Sequence, residues 1–175
     1  MTYATIADRD AIVNESPWEQ RDLPKTTYEM LSRTASKFSD RKAVSYQLTS
    51  GPDDKCETLT WGQLQAQATQ TANLFRELGV GETDVVAYLL PSATETVLTY
   101  LGGQVAGIVN PINPLLDAEQ IGAILRETGA KVLVTLKAFP KTDVAQKAAE
   151  AVALAPNVET ILEVDLLRYL TGIKK

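Results

Sequence analysis

The sequence predicts an α/β fold: a mainly parallel sheet with helices on both faces, preceded by a helix and a β-hairpin. Two observations predict it. From residue 84 to residue 164, short apolar runs alternate with stretches of helical periodicity, and this alternation is typical of parallel strands joined by right-handed crossovers. Before residue 84, two strand-like runs flank a segment rich in glycine, proline and aspartate, which is the pattern of a hairpin.

The first elements are predicted from periodicity. Residues 1–24 show no clear period and predict an extended N-terminal arm. Residues 28–38 place apolar side chains on one helical face behind a threonine cap. Residues 42–48 and 56–60 alternate as the two strands of the hairpin, and residues 49–55 have the composition of a turn.

A capping box marks the next helix. Thr60 and Gln63 stand at the spacing at which each side chain satisfies a free backbone N–H group of the other residue. Apolar residues then recur at helical spacing until Gly79, which is a favourable helix end. Residues 84–90 form a short apolar run with β-branched members, which predicts a strand buried on both faces.

The following helix is apolar nearly all round. Residues 92–95 fit a second capping box, which makes Glu95 a capping residue. Apolarity on every side from residue 94 to residue 105 predicts a buried helix. Gly102 and Gly103 lower its helix propensity, and we expect close packing against a neighbouring element to compensate.

The last elements continue the alternation. Residues 108–114 contain two prolines, which predicts a short strand that runs into an extended segment. Asp117 caps the next helix and Gly129 ends it. The remaining elements are a strand at 131–135, an alanine-rich helix at 142–154 and a strand at 158–164. Residues 166–175 form a tail with no assigned element.

Composition limits the functions open to the chain. Its 175 residues are 45% hydrophobic and 22% charged, as in one soluble domain. The net charge of −5, with both signs interspersed, does not favour binding to nucleic acid or to an anionic membrane surface. Neither a signal peptide nor a transmembrane run is present, so the expected location is cytoplasmic.

Few residues suggest chemistry. The chain has no histidine, which excludes Ser-His-Asp and Cys-His catalysis and most kinds of zinc site. Its one cysteine, Cys56, is expected to be an ordinary reduced thiol. Asp53 and Asp54 are predicted to be solvated in the turn. Asn110 and Asn113 follow a strand, where they either face a ligand or form turns with their own backbone. We therefore assign no catalytic, cofactor-binding or metal-binding residue.

The order of these motifs resembles a known family. TTYEMLSRTASKFSDRKAVSY is similar to the first helix and strand of the adenylate-forming synthetases. The pattern LTW-x-x-L, followed by L-G-V-x-x-x-D-V-V-A and later by P-x-N-P, resembles two early motifs of that family, and LDAEQIGAILRETGAKVLVT resembles its next helix and strand. The resemblance covers roughly residues 18–165 and is strongest to acyl-CoA synthetases.

This resemblance implies that residues 25–165 are a partial N-terminal domain of the adenylate-forming fold. The full-length family uses ATP, Mg²⁺ and CoA, whereas this chain lacks the family's phosphate loop and catalytic lysine, so no cofactor is expected to bind it alone. The expected partners are the remainder of a synthetase or a second copy. Two other hypotheses stay open: a stand-alone, non-catalytic interaction module on the same scaffold, and an unrelated flavodoxin-like domain.

Overall fold

The computed structural model describes residues 4–49, 51 and 54–170. Its helices are α1 (Ile6–Val13), α2 (Thr27–Phe38), α3 (Trp61–Glu77), α4 (Thr94–Ala106), α5 (Ala118–Glu127) and α6 (Val144–Ala153). Its strands are β1 (Lys42–Gln47), β2 (Cys56–Thr60), β3 (Val85–Leu89), β4 (Ile108–Pro111), β5 (Ala130–Leu136) and β6 (Thr160–Val164). Short 3-10 helices lie at Trp18–Gln20 and Leu166–Tyr169.

The N-terminal segment is not extended throughout, so the predicted extended arm is wrong over α1. The Thr5 hydroxyl accepts a hydrogen bond from the backbone N–H of Asp8, whose carboxylate accepts from the backbone N–H of Thr5. This capping box starts a helix without help from packing. Because α1 buries no residue, it leaves no apolar period in the sequence.

The predicted first helix and hairpin are confirmed. Thr26 caps α2 through its hydroxyl, and β1 and β2 pair as antiparallel strands. Residues 50, 52 and 53 of the predicted turn, including Asp53, lie outside the described residues. Asp54 accepts a hydrogen bond from the backbone N–H of Gly51. A small core of Leu31, Leu59, Leu64 and Ala68 joins α2, the hairpin and α3.

The four remaining strands form one parallel sheet in the order β4-β3-β5-β6. Helices flank both faces: α4 packs on α3, β3 and β4, while α5 and α6 pack on each other and on β5. The centre of the sheet is fully buried, as Val86, Leu89, Val132 and Leu133 show. The parallel sheet predicted for residues 84–164 is therefore confirmed, with β4 and β6 as its edges.

Two expectations about α4 are wrong. Its N-cap is Ala93, without a side-chain cap, so Glu95 does not cap the helix. The helix is also not buried all round, because it turns its small residues inward and leaves Tyr100 41% exposed. A Cβ at Gly102 would lie 2.7 Å from the side chain of Thr71 in α3, which confirms the predicted close packing.

The later helix ends follow the local signals. Asp117 and Gln120 form the predicted capping box of α5. Gly79 and Gly129, which end α3 and α5, have positive φ angles of 80° and 65°, where glycine avoids the strain that a side chain would cause. Among the described residues, no helix is both long enough and apolar enough to cross a bilayer.

Candidate functional site

A cavity of about 370 Å³ lies at the carboxyl end of the parallel sheet. Segments that follow four strands line it, together with the hairpin: Tyr46, Leu48, Pro91, Leu115, Phe139 and Leu166. The lining is largely apolar, and ligands of open α/β sheets bind at this edge. We call this space the strand-end cavity.

Three charged residues lie at the cavity. The ammonium of Lys147 is 3.1 Å from the carboxylate of Asp143 and donates to the carbonyl of Pro114 at 3.5 Å. Lys141 has a φ of 64° and is the one non-glycine residue in the described part of the chain with a positive φ. Such strained backbone occurs often at binding sites. The arrangement suits a small apolar molecule with an anionic group, and no side-chain pair here is set up for proton transfer.

The two asparagines singled out in the sequence do not line this cavity. The Asn113 side-chain oxygen accepts a hydrogen bond from the backbone N–H of Leu115 at 3.0 Å, so Asn113 forms a turn with its own segment. The Asn110 amide donates to the hydroxyl of Thr128 at 3.5 Å, which is a long contact between two neighbouring elements. Of the two alternatives, the structure shows the turn-forming one for Asn113.

A second cluster, not anticipated from the sequence, fastens the C-terminal 3-10 helix. Arg168 contacts the carboxylates of Glu57 in β2 at 3.0 Å and Glu95 in α4 at 2.7 Å. The hydroxyl of Tyr169 lies 2.9 Å from Glu57 and 2.8 Å from Glu95, and Arg168 donates to its oxygen at 2.6 Å. We call Glu57, Glu95, Arg168 and Tyr169 the carboxylate clasp.

Burial sets the electrostatics of the clasp. It raises the pKa of Tyr169, which is 2% exposed, and the two carboxylates raise it further. Burial alone would also raise the pKa of Glu57, but nearby hydroxyls and the charge of Arg168 outweigh it and lower that pKa. One of these hydroxyls is that of Thr94, which is buried and lies close to Glu57 without a hydrogen bond of regular geometry.

The clasp is a structural fastening that borders the cavity. The tyrosine hydroxyl has one proton for two carboxylates, and Arg168 supplies the remaining donors. The rings of Tyr46 and Tyr169 meet edge to face with centroids 4.8 Å apart, and Tyr46 also lines the cavity. In the part of the chain that the structure describes, no three His, Cys, Asp or Glu side chains form a metal-binding group.

The comparisons with known proteins agree with this fold. The family model described as "AMP-binding enzyme" matches residues 31–172. The marinolic acid–CoA ligase of Pseudoalteromonas is 29% identical over 91% of this chain and 25% of its own length. The long-chain-fatty-acid–CoA ligase of Bacillus subtilis is 31% identical over 73% and 22%. The crystal structure of the anthranilate CoA ligase AuaEII matches with a TM-score of 0.68 and 25% identity, over 86% of this chain and 27% of that one. The chain therefore spans about a quarter of the length of these relatives.

Proposed function

This chain belongs to the AMP-binding enzyme family, and we propose that it serves as the N-terminal segment of an AMP-forming acyl-CoA synthetase. The family match over residues 31–172 carries the proposal, and the CoA ligases among the relatives support it. Membership also excludes an unrelated flavodoxin-like domain.

The proposed parent reaction has two steps. A fatty or related carboxylate attacks the α-phosphorus of Mg²⁺-bound ATP, which gives an acyl-adenylate and releases pyrophosphate. The thiol of CoA then attacks the acyl carbon, which gives the thioester and releases AMP. We place this reaction in the cytoplasm. Residues 25–165 form the proposed partial domain, to which the clasp fastens the start of the segment at 166–175.

We propose that the chain alone does not catalyse adenylate formation. Transfer at phosphorus requires preorganised positive charge and N–H donors around the phosphates. The lysines at the strand-end cavity are too few for this task, since Lys147 is already paired with Asp143. ATP, Mg²⁺ and CoA therefore act in the longer enzyme, with residues beyond those of this chain.

Pyrophosphate exchange tests this proposal. The purified chain is incubated with ATP, Mg²⁺, labelled pyrophosphate and a panel of acids that includes palmitate, benzoate and anthranilate. We expect exchange equal to a blank without protein, while the full-length Bacillus subtilis ligase serves as the positive control. Exchange that stays with this chain through repurification and scales with its concentration would refute the proposal.

A stand-alone binding module is the second candidate, and the strand-end cavity favours it. A cavity of about 370 Å³ with an apolar lining and a few charged groups is of the kind that holds small molecules. A monodisperse monomer with a cooperative melt and saturable binding of a small apolar anion would support this function over that of a synthetase segment.

A further inference from the structure

The 3-10 helix at Leu166–Tyr169 lies between two open spaces of the fold. Leu166 lines the strand-end cavity. Arg168 and Tyr169 contact Glu95, which lines a groove of about 290 Å³ between α3, α4 and β6. We call this second space the β6 groove. The chain therefore leaves the 3-10 helix beside both spaces.

The lining of the β6 groove is chiefly apolar and partly open to water. Leu74 of α3 is 43% exposed, and Leu98 of α4 and Leu162 of β6 are half-buried. Among the described residues that line the groove, the charged ones are Glu95 and Glu163, both acidic. Because removing apolar surface from water is favourable, the groove suits a segment that combines an apolar side chain with positive charge.

The two spaces differ in the sign of their charge. Glu163 at the β6 groove is exposed, so its carboxylate is accessible to a cation. The strand-end cavity is lined instead by Lys141 and Lys147, with Asp143 as the one carboxylate among its described lining residues. A basic segment that follows the 3-10 helix is therefore attracted to the groove and repelled from the cavity.

Residues 171–175 have the composition of such a segment. The structure describes the chain as far as Leu170, and the sequence continues Thr-Gly-Ile-Lys-Lys. Gly172 permits a sharp change of chain direction, Ile173 supplies an apolar side chain, and the two lysines supply the charge. Five residues span at most about 17 Å. This reach suffices because the groove begins at Glu95, 2.8 Å from the hydroxyl of Tyr169.

We propose that residues 171–175 bind in the β6 groove of their own chain, with Ile173 against Leu162 and the two lysines beside Glu163. Ile173 covers part of the apolar lining, while the lysine ammonium groups stay in water. A short tether gives the segment an effective concentration in the millimolar range, which favours it over a second copy of the chain. The inference does not depend on the proposed function.

Two cysteine pairs in the full chain compare the two spaces. Both pairs carry Cys56→Ser and Lys174→Cys. The groove pair adds Leu74→Cys, and the cavity pair adds Leu115→Cys, at an 86% exposed residue of the strand-end cavity. Disulfide formation in a glutathione redox buffer gives the effective concentration of each pair. We expect a value at least about tenfold higher for the groove pair, because burial of Ile173 holds the segment there.

Further substitutions in the groove pair separate charge from burial. Glu163→Lys should lower the effective concentration about fivefold, because it replaces an attraction at the surface by a repulsion. Adding Lys175→Glu to that variant should restore the value. Ile173→Ser should lower it as well, through loss of the apolar contact. In the cavity pair, neither Glu163→Lys nor Ile173→Ser should lower the value.

Circular dichroism melts show that each variant is folded, and non-reducing gels separate disulfides within a chain from those between chains. Equal values for the two pairs, or a higher value for the cavity pair, would overturn the proposal. So would a groove pair that is insensitive to Glu163→Lys and Ile173→Ser. Disulfides formed mainly between chains at low protein concentration would assign the groove to a second copy and overturn it too.

Discussion

Replacing Tyr169 with phenylalanine removes a single oxygen atom from the carboxylate clasp. The ring, which packs edge to face on Tyr46, stays in place. The lost hydroxyl lies within hydrogen-bonding distance of Glu57 and Glu95 and accepts from Arg168. Because its one proton donates to one carboxylate at a time, we count one hydrogen bond to a charged group, worth about 1.5–3 kcal/mol. Tyr169→Phe should therefore lower the free energy of unfolding by about 2 kcal/mol.

Removing the cation tests the same cluster differently. Arg168→Gln leaves two carboxylates near each other without their positive partner. Since the Arg168 side chain is 46% exposed, water screens part of the loss, and we expect about 1 kcal/mol. The matched control is Arg33→Gln, which breaks ion pairs with Glu29 and Asp22 on the surface and should have little measurable effect.

The clasp also predicts a dependence on pH. In the folded chain the pKa of Glu57 lies below its ordinary value of 4.5. A lowered folded pKa means that the ionised group contributes stability that is fully present above the unfolded pKa and is lost as the pH falls through the folded pKa. Glu57→Gln should therefore be less stable than the unmodified chain at pH 7. The difference between the two should shrink as the pH falls below about 4.5.

Urea unfolding followed by circular dichroism measures these differences, and amide hydrogen exchange shows where they act. Faster exchange in β1 and β2 should accompany Tyr169→Phe, because the clasp ties the hairpin to the 3-10 helix at Leu166–Tyr169. A Tyr169→Phe variant as stable as the unmodified chain would refute this account of the clasp. So would an Arg33→Gln variant that loses as much stability as Arg168→Gln.

Three further predictions concern single residues. Asp117→Ala removes the side-chain cap of α5 and should lower the free energy of unfolding in urea by about 1 kcal/mol. Asp143→Ala, at the start of a helix without such a cap, should lower it less. Equal losses in the two variants would contradict this. Gly102→Ala should destabilise by about 1–3 kcal/mol despite better helix propensity, because its Cβ would meet the side chain of Thr71. Gly62→Ala, which meets a rotatable serine hydroxyl, should melt at nearly the normal temperature. Cys56 is exposed, so it should react with a thiol reagent in the folded chain, and Cys56→Ser should change only this labelling.

The regular elements were predictable because their signals are local. Apolar runs at the lengths of strands indicated β3 and β5, which the sheet buries. The capping boxes at Thr60 and Asp117 act within four residues, and both form. The helix ends at Gly79 and Gly129 need a left-handed backbone, which glycine adopts without strain.

The clasp was not predictable because its partners are far apart along the chain. Glu95 has the spacing of a capping residue. Its carboxylate instead contacts Arg168 and Tyr169, which lie 73 and 74 residues further along the chain. Charged hydrogen bonds of this kind outweigh a weak local cap. The tail itself shows no helical or strand period, because a single 3-10 turn buries only Leu166 and Tyr169. Short segments whose order comes from tertiary contacts leave no periodic trace.

The clasp and the strand-end cavity share a wall, so a change in one should reach the other. Tyr46 packs on Tyr169 and lines the cavity, and Leu166 belongs to both the 3-10 helix and the cavity wall. If the clasp opens, the hairpin loses its fastening on that side, and the cavity loses a rigid boundary. A small apolar anion held there would then bind to fewer preorganised side chains. Tyr169 is not among the residues that line the cavity, so weaker binding of the anion to the Tyr169→Phe variant would indicate that the hairpin had moved.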